Sequence, residues 1–436
     1  MIKFDVVVIG GGPAGLSAAL TLAKSGMEVA VVEKGEYAGS KNVMGGVLYT
    51  HPLLEIVDNA VERMVNEKAV ERSVIEQNMF LLGNGSVLKV GHRNPEWKNT
   101  PNAFTVLRAK FDQWFAKIVE EAGVLIITKT KVEDFIWENG KIKGVITSRP
   151  EGEIYCKAVI IAEGVNPILT MKAGLRKEDI KPNMAAVAVK EVIDMPEDII
   201  NTAFNVDSKS GVTYEILGEW SEGMFGMGFL YTNKDSISIG CGVLIEELKH
   251  RNIKPYQLLD NLKNHPIISD IIGEYKNNVK EYLAHLIPEG GYYSIPQLYG
   301  DNVLVCGDAA MLVNSIHREG SNHAITSGRL AAETLVDAFN KGEISKKTLK
   351  SYVERLKESF ILKDLEKYKD LMPTMEKNQH FIELYPSLFN RLATRFLTVD
   401  GTPKTDVEWQ IIDSLRNERG LIGLGMDALK LWKGVR

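Results

Sequence analysis

The sequence predicts an α/β dinucleotide fold, a β-rich domain inserted into it, and a helical region at the end. Three observations carry that prediction. The apolar run at residues 4–9 leads straight into Gly10-Gly11-Gly12-Pro13-Ala14-Gly15. A second apolar run at 302–306 ends in Gly307-Asp308-Ala309-Ala310, about 300 residues later. Between them, residues 181–295 change texture to short β runs.

The first unit reads strand, turn, helix, strand, and extends to about residue 75. Asp5-Val6-Val7-Val8-Ile9 has the continuous apolar character of a buried strand. The glycines that follow suit a turn too tight for side chains, and residues 16–25 read as a helix whose N-terminus faces a pyrophosphate. Glu33 ends the next apolar run, Val29-Ala30-Val31-Val32, 18 residues past Gly15. That acid is placed to accept hydrogen bonds from a ribose diol. The loop at 39–49 follows directly, and its glycines let backbone approach something flat or phosphorylated. A plain flexible loop is the alternative.

Residues 80–90 read as strands about a turn at Gly83-Asn84-Gly85. Residues 108–122 have helical spacing, with Phe111, Trp114, Phe115, Ile118 and Val119 on one face and Arg108 at the start. Short strands are expected at 124–127, 131–137, 141–147 and 154–155, then an apolar strand at 157–162 ending in Glu163-Gly164. The insertion carries β runs at 185–193, 212–217, 226–231 and 236–244, with a helical stretch near 255–265. A helix with small residues on one face is expected at 320–340, and the remainder is mostly helical and charged.

A chain of 436 residues has room for two or three domains. Net charge is −5, which points away from nucleic acid. Cys156, Cys241 and Cys306 lie far apart and form no Cys-x-x-Cys. That points away from an intrinsic iron–sulfur cluster or zinc site, argues against a disulfide framework, and fits a reducing compartment. The first residues lead into a strand with no room for a signal peptide, and no run approaches the 18 apolar residues of a membrane span. The expectation is a cytoplasmic protein that meets a membrane only from its surface.

An NAD site needs only the first strand–turn–helix unit. The recurrence at Gly307-Asp308, with a helix after it, suits FAD in an extended pose across the fold. The N-terminal glycines hold the pyrophosphate, and Asp308 bonds a sugar-like ribityl chain. The helix from Gly320 offers its free N–H groups to the flavin's pyrimidine edge, where its positive end stabilises reduced-state charge. The alternative for Asp308 is a turn or cap residue.

Gly10 to Gly15, Glu33, Arg108, Cys306 to Ala310 and His317-Arg318-Glu319-Gly320-Ser321-Asn322 resemble the FAD-dependent reductases related to geranylgeranyl reductase and electron-transfer-flavoprotein:quinone oxidoreductase. Gly39-Ser40-Lys41-Asn42, Gly228-Phe229-Leu230-Tyr231-Thr232-Asn233-Lys234-Asp235, Ile287-Pro288-Glu289-Gly290-Gly291 and Thr398-Val399-Asp400-Gly401 are similar to the FixC (EtfC) branch. The resemblance implies a p-hydroxybenzoate-hydroxylase-like, Rossmann-like FAD-binding domain at 1–75, 101–180 and 296–340. It implies a quinone-binding domain at 76–100 and 181–295, and a helical region at 341–436 for partner or membrane docking. The cofactor residues it implies are Gly10, Gly12, Pro13, Ala14, Gly15, Glu33, Lys34, Lys41, Asn42, Gly45, Gly46, Arg108, Val132, Gly164, Gly307, Asp308, Gly320, Ser321 and Asn322. For the quinone it implies Gly226, Gly228, Phe229, Tyr231, Gly290 and Gly291. Many relatives carry Ala-Asp-Gly where this chain has Ala162-Glu163-Gly164, which leaves the middle flavin contact open.

Single-chain quinone oxidoreductases of this kind end in a cysteine-rich domain holding a four-iron cluster, and this chain has no such cysteines. The resemblance therefore implies a separate ferredoxin-like subunit, with electrons arriving from the alpha and beta subunits of an electron-transfer flavoprotein and leaving to a membrane quinone. No second Gly-x-Gly-x-x-Gly unit offers an NAD(P)H domain. Flavin chemistry needs no nucleophile, so no catalytic residue is assigned and no metal site is expected. His317, Tyr231 and Tyr292 are open candidates for a proton source, with structural roles as the alternative. Phe381, Tyr385, Leu388, Leu392 and Phe396 have helical spacing, with Pro386 suited to a first turn. Leu421, Leu424, Ala428, Leu431, Trp432 and Val435 cluster on one helical face among five cations and two acids. That end suits an anionic membrane surface on the inner side of the cell membrane, or packing on the protein itself or a partner. Two other functions stay open. An isoprenoid-lipid reductase of the geranylgeranyl type would carry Tyr-x-Trp-x-Phe-Pro, and none of the six tryptophans is followed by x-Phe-Pro. A flavin-free prenyl-binding carrier would not need Gly10, Gly12, Gly15, Glu33 and Asp308.

Overall fold

The computed structural model describes residues 2–42, 46–83 and 85–435. Gly45, the turn residue Asn84 and Arg436 lie outside the described residues, as do Val43 and Met44 of the glycine-rich loop. The chain forms two compact units. One comprises Met1–Ser73, Glu96–Ala186 and His285–Glu366; the other comprises Val74–Pro95, Val187–Ala284 and Lys367–Arg436.

In the first unit, strand Ile2–Ile9 lies between Val29–Val32 and Glu153–Ile161, parallel to both. Leu125–Ile127 and Val303–Val305 extend the sheet in parallel on either side. Central parallel strands are covered on both faces, which is why these segments are apolar without alternation. Val6, Val7, Val8, Val29, Val31 and Val32 are all buried in one core. A hairpin of Val132–Glu138 and Lys141–Thr147 joins the edge of Glu153–Ile161. The two strands expected at 154–155 and 157–162 are therefore one. Lys157 does not interrupt it, because its ammonium reaches out to Asp5 Oδ1 at 2.7 Å.

The helix after the glycine turn is Pro13–Lys24, and it starts earlier than expected because Pro13 occupies the first helical turn. Helix Ser321–Asn340 packs against it at very close range. A Cβ on Gly328 would lie 2.1 Å from the Ala14 carbonyl oxygen, and Ser17 Oγ donates to the Ile325 carbonyl at 2.6 Å. This contact explains the small residues on that helix. Helix Arg108–Glu121 buries Phe111, Trp114, Phe115, Ile118 and Val119 as its spacing predicts.

In the second unit the strands run in the order Ser86–Arg93, Ser73–Gly83, Ser210–Gly218, Gly226–Thr232, Ser236–Leu244, Ala185–Asp194 and Val279–Pro288. Side chains alternate across this sheet. Leu230, Ile237, Ile239, Cys241 and Val243 join Leu258, Leu259 and Leu262 of helix Pro255–Asn264 in a second core. On the alternate positions, Phe229 stacks on Tyr231 with ring centroids 4.9 Å apart. Strand Val279–Pro288 has no counterpart in the sequence reading. It is a terminal strand of this order in which only Pro288 is buried, so it lacks the hydrophobic alternation that reveals a strand.

The C-terminal helices include Tyr385–Leu397, Lys404–Glu418 and Leu421–Gly434, and Pro386 sits in the first turn of its helix. A buried acid organises them. Asp427 receives Arg419 Nε at 2.6 Å, Arg419 Nη2 at 2.8 Å and Tyr385 Oη at 2.7 Å, with His380 Nε2 at 3.0 Å. The Arg419 bonds chiefly hold its carboxyl well below the usual carboxylate range. Lys430 is 3.6 Å from the same acid and donates to Asn378. Two of the cations counted toward a basic tail are thus committed to internal partners. The final helix buries Asp427 and Gly434, the latter close against Leu371, while Leu421, Ile422, Leu429 and Trp432 are 62%, 80%, 48% and 53% exposed.

Candidate functional site

The turn after Ile9 is built from collisions that only glycine avoids. Gly10 has φ +106°, and a Cβ there would sit 2.2 Å from the Ala162 carbonyl oxygen. A Cβ on Gly15 would sit 2.0 Å from the Gly10 carbonyl oxygen. Gly12 differs, because its nearest neighbour would be Asn42 Nδ2 at 3.7 Å. That side of the turn is open, at the N-terminus of a 12-residue helix that has no side-chain cap. It is the cradle a phosphate requires.

Glu33 lies against this turn, and its Oε2 accepts from Gly11 N at 2.7 Å while Oε1 accepts from Gly35 N. A carboxylate has about four acceptor positions, so two such bonds leave capacity for a diol. Lys34 follows on the exposed side. Gly39 and Asn42 pack on helix Arg108–Glu121, where Asn42 Nδ2 and Arg108 share Asp112. The Gly46 carbonyl accepts from Val106 N at 2.9 Å. Lys41 is exposed. Val132 contributes its side chain to the core, where it pairs with Thr147.

Glu163 is occupied by its own chain. It accepts from Leu169 N at 2.8 Å, Thr170 N at 2.7 Å and Thr170 Oγ1 at 2.8 Å. Burial still outweighs these bonds and pushes its carboxyl up. The extra methylene relative to aspartate thus serves the turn into Ile168–Lys172, while Gly164, with φ +80°, borders open space.

Gly307 has φ +64° and packs against Ala14, with its N–H held by Ser327 Oγ at 3.0 Å. It opens the 3₁₀ turn Gly307–Ala310 that carries Asp308. Burial pushes the Asp308 carboxyl up to about 6, against the pull of Arg108. Nearby in this electrostatic field, His285 is pushed down to about 4 by burial and by Arg108 and Lys34. The loop before helix Ser321–Asn340 is folded on Asn314, whose Oδ1 accepts from Ile316 N and His317 N. Gly320 and Ser321 are half-buried at the helix start, and Asn322 is buried.

Among the described residues of this unit, the buried polar atoms with no hydrogen-bond partner include Ser40 Oγ, Asn314 Nδ2, Asn322 Oδ1 and Thr326 Oγ1. Buried polar groups are nearly always bonded, so these atoms call for a polar ligand or water. With the open face of Gly12 and the bare Asp308 carboxyl, the residues present fit an extended dinucleotide. The assigned cofactor residues among those described all fall in this one unit.

The residues assigned to a quinone divide between the units. Gly290 and Gly291 belong to the first; Gly226, Gly228, Phe229 and Tyr231 belong to the second. Gly290 is a close-packing glycine, since a Cβ would lie 2.5 Å from Ser294 Cβ, whereas Gly291 has φ +56° and open space around it. Gly226 and Gly228 also serve packing, against Val243 and against Leu262. His317 is exposed, and Tyr292 packs on the first core.

The three cysteines are buried singly. Burial pushes the Cys156 and Cys306 thiols up to about 12, and Cys241 is raised further. Among the described residues, no group of three or more His, Cys, Asp or Glu side chains is placed to hold a metal ion. No described helix is long and apolar enough to cross a membrane.

Residues 5–164 match the FAD dependent oxidoreductase family, and residues 371–436 match the ETF-QO/FixC family C-terminal domain. Protein FixC of Bradyrhizobium diazoefficiens is 42% identical over 438 residues, covering 100% of this chain and 99% of that protein. Protein FixC of Escherichia coli K12 is 35% identical over 431 residues, 98% of each chain. Among solved structures, a geranylgeranyl bacteriochlorophyll reductase-like protein of Thermoplasma acidophilum is similar with TM-score 0.74 and 21% identity, over 98% of this chain and 100% of that one. The flavin-dependent brominase Bmp2 is similar with TM-score 0.68 and 17% identity, over 95% and 100%. The fold is thus the mixed α/β fold of flavin-dependent monooxygenases and reductases, with a curled β half-barrel and a helical C-terminus. Matched over its whole length at 42% identity, the chain belongs to the ETF-QO/FixC family of FAD-dependent oxidoreductases.

Proposed function

We propose that this protein is the FAD-bearing subunit of an electron-transfer-flavoprotein:quinone oxidoreductase. It takes electrons from an electron-transfer flavoprotein of alpha and beta subunits and passes them to a membrane quinone. The full-length match to FixC proteins carries this reading. FAD, when bound, accepts electrons singly or in pairs and releases them to an acceptor. The chain's residues do the rest. The Gly10 to Gly15 turn binds the pyrophosphate, Glu33 the adenosine ribose, Asp308 the ribityl hydroxyls, and the Gly320–Asn322 helix start the flavin's pyrimidine edge. Arg108, fixed by its ion pair with Asp112, favours the charged form of Asp308. A small ferredoxin-like subunit supplies the iron–sulfur cluster, because the three neutral thiols of this chain do not gather to ligate one.

The test is direct. Purified protein should be yellow, bleach on photoreduction, and regain colour on mixing with a soluble quinone. A reduced flavin that a quinone leaves unchanged refutes the reading.

Membrane docking through the last helix belongs to the same proposal. The exposed Ile422, Leu429 and Trp432 form an apolar surface on the side away from Asp427 and Gly434, beside the exposed Lys433. Amphipathic helices of this kind lie in the membrane interface. Leu429→Ser with Trp432→Ser should lower co-sedimentation with anionic phosphatidylglycerol vesicles by about tenfold or more. Its melting temperature should fall by only a few degrees, since about half of each replaced side chain is already exposed. Equal vesicle binding by the double variant would place docking elsewhere.

A further inference from the structure

We propose that Glu289, at the turn after strand Val279–Pro288, is the acid that hands a proton to a quinone bound beside Gly290 and Gly291. This rests on the quinone reading above. The backbone fixes Glu289 on both sides. Its N–H donates to the Met184 carbonyl at 2.8 Å, and the following Gly290 is wedged against Ser294 and Met184. Ser294 Oγ and N–H both close onto the Gly291 carbonyl, at 2.8 and 3.1 Å, and Arg176 Nη2 clasps the Ser294 carbonyl at 2.8 Å. The turn is therefore rigid where it borders open space at Gly291.

Ser315, on the loop that leads into helix Ser321–Asn340, lies close enough to the Glu289 carboxyl to favour its charged form. The residue before Ser315 is Asn314, whose Nδ2 is buried without a partner. An acid, a hydroxyl and an unpartnered amide donor thus lie on the two segments that flank the helix start assigned to the flavin. Burial pushes the Glu289 carboxyl up to about 7, with Ser315 pulling the other way. An acid so placed holds its proton near neutral pH and releases it readily, as proton transfer requires. The other ionisable groups on the flanking segments are His285 on the same strand, Tyr292 and Tyr293 in the turn, Arg176 behind Ser294, and His317, Arg318 and Glu319 on the loop.

Reduction of a quinone takes two electrons and two protons. The reduced enzyme supplies the electrons. The Glu289 O–H bond breaks as one quinone O–H bond forms, and water returns a proton to the carboxylate. The second proton comes from solvent.

The experiment uses the full flavin-loaded protein, photoreduced, with two acceptors. A soluble quinone needs protons; ferricenium needs only electrons. In Glu289→Gln the quinone rate relative to the ferricenium rate should fall about a hundredfold. Glu289→Asp should recover part of the loss. The wild-type quinone rate should decline as pH rises through about 7, and the Gln variant should lack that inflection. Infrared difference spectra of oxidised and reduced protein should show a carboxylic-acid carbonyl band that Glu289→Gln removes. An unchanged rate ratio and pH profile in Glu289→Gln overturns the proposal alone. A wild type that never reduces quinone overturns the function on which it rests.

Discussion

Gly12→Ala should fold and lose its flavin, whereas Gly15→Ala should fail to fold stably with or without flavin. The two glycines belong to one motif but carry different burdens. An alanine at Gly15 drives its methyl to 2.0 Å from the Gly10 carbonyl oxygen, a backbone atom that moves only if the whole turn opens. Such overpacking in a central strand–helix junction costs several kcal/mol, on the order of 3 or more. Gly12 has φ −83° and ψ 178°, which alanine adopts without strain, and a methyl there meets only Asn42 Nδ2 at 3.7 Å. Alanine is a poorer N-cap than glycine, so a loss of about 1 kcal/mol is expected in the apoprotein. The methyl would occupy the side of the turn where a pyrophosphate must approach. Flavin affinity should therefore fall about a hundredfold or more, an effect of at least ~3 kcal/mol. Chemical denaturation of the apoproteins and fluorescence titration with FAD separate the two effects. A Gly12→Ala protein that retains flavin at wild-type affinity would remove the turn from the cofactor site.

What the sequence revealed follows from where each signal lives. The parallel strands were legible because burial on both faces requires unbroken apolar runs, as in Val6-Val7-Val8. The glycine turn was legible because the steric demand is written in residue type. Helix Arg108–Glu121 was legible from its five buried apolar positions. Strand Val279–Pro288 was hidden, because a strand with a single buried side chain shows no periodicity. The single strand Glu153–Ile161 reads in the sequence as two pieces, 154–155 and 157–162, that part at Cys156, yet Cys156 is buried in the core and the ladder runs through it. At the site, Glu163 looked like a variant flavin contact, and its real partners, Leu169 and Thr170, emerge only once the chain turns back. The buried Asp427 was counted as a surface charge for a similar reason. Its partners Arg419, Tyr385 and His380 come from three separated segments, and no spacing rule connects them. Glu289 stood inside a quoted motif, but its Ser315 contact is a tertiary fact.

Asp308→Asn should stabilise the apoprotein and weaken flavin binding at the same time. The Asp308 carboxyl titrates at about 6 in the folded chain, against an ordinary 3.8. An acid whose pKa rises on folding makes the folded state take up a proton. Its ionised form therefore destabilises the fold above about 6, and that penalty fades as pH falls toward the ordinary value. A rise of about two units corresponds to at most ~3 kcal/mol. His285 acts in the opposite sense. Held neutral down to about 4, it costs stability as pH drops below 6.5. The two terms offset one another between about pH 4 and 6.5, so the wild-type profile alone hides both. The difference between wild type and Asp308→Asn isolates the aspartate. That difference should be largest above pH 7, on the order of 1–3 kcal/mol in favour of the variant, and should shrink toward pH 4. The described residues make no hydrogen bond to this carboxylate, which is why the fold carries the burial cost. Hydroxyl groups of a bound ribityl chain would supply those bonds, and bonds to a charged acceptor are strong. Asparagine offers a weaker acceptor, so FAD affinity should drop about tenfold or more. Denaturation across pH and FAD titration together decide the matter. If Asp308→Asn instead destabilises the apoprotein at pH 7.5, the carboxylate serves the turn that carries it, and the ribityl assignment falls.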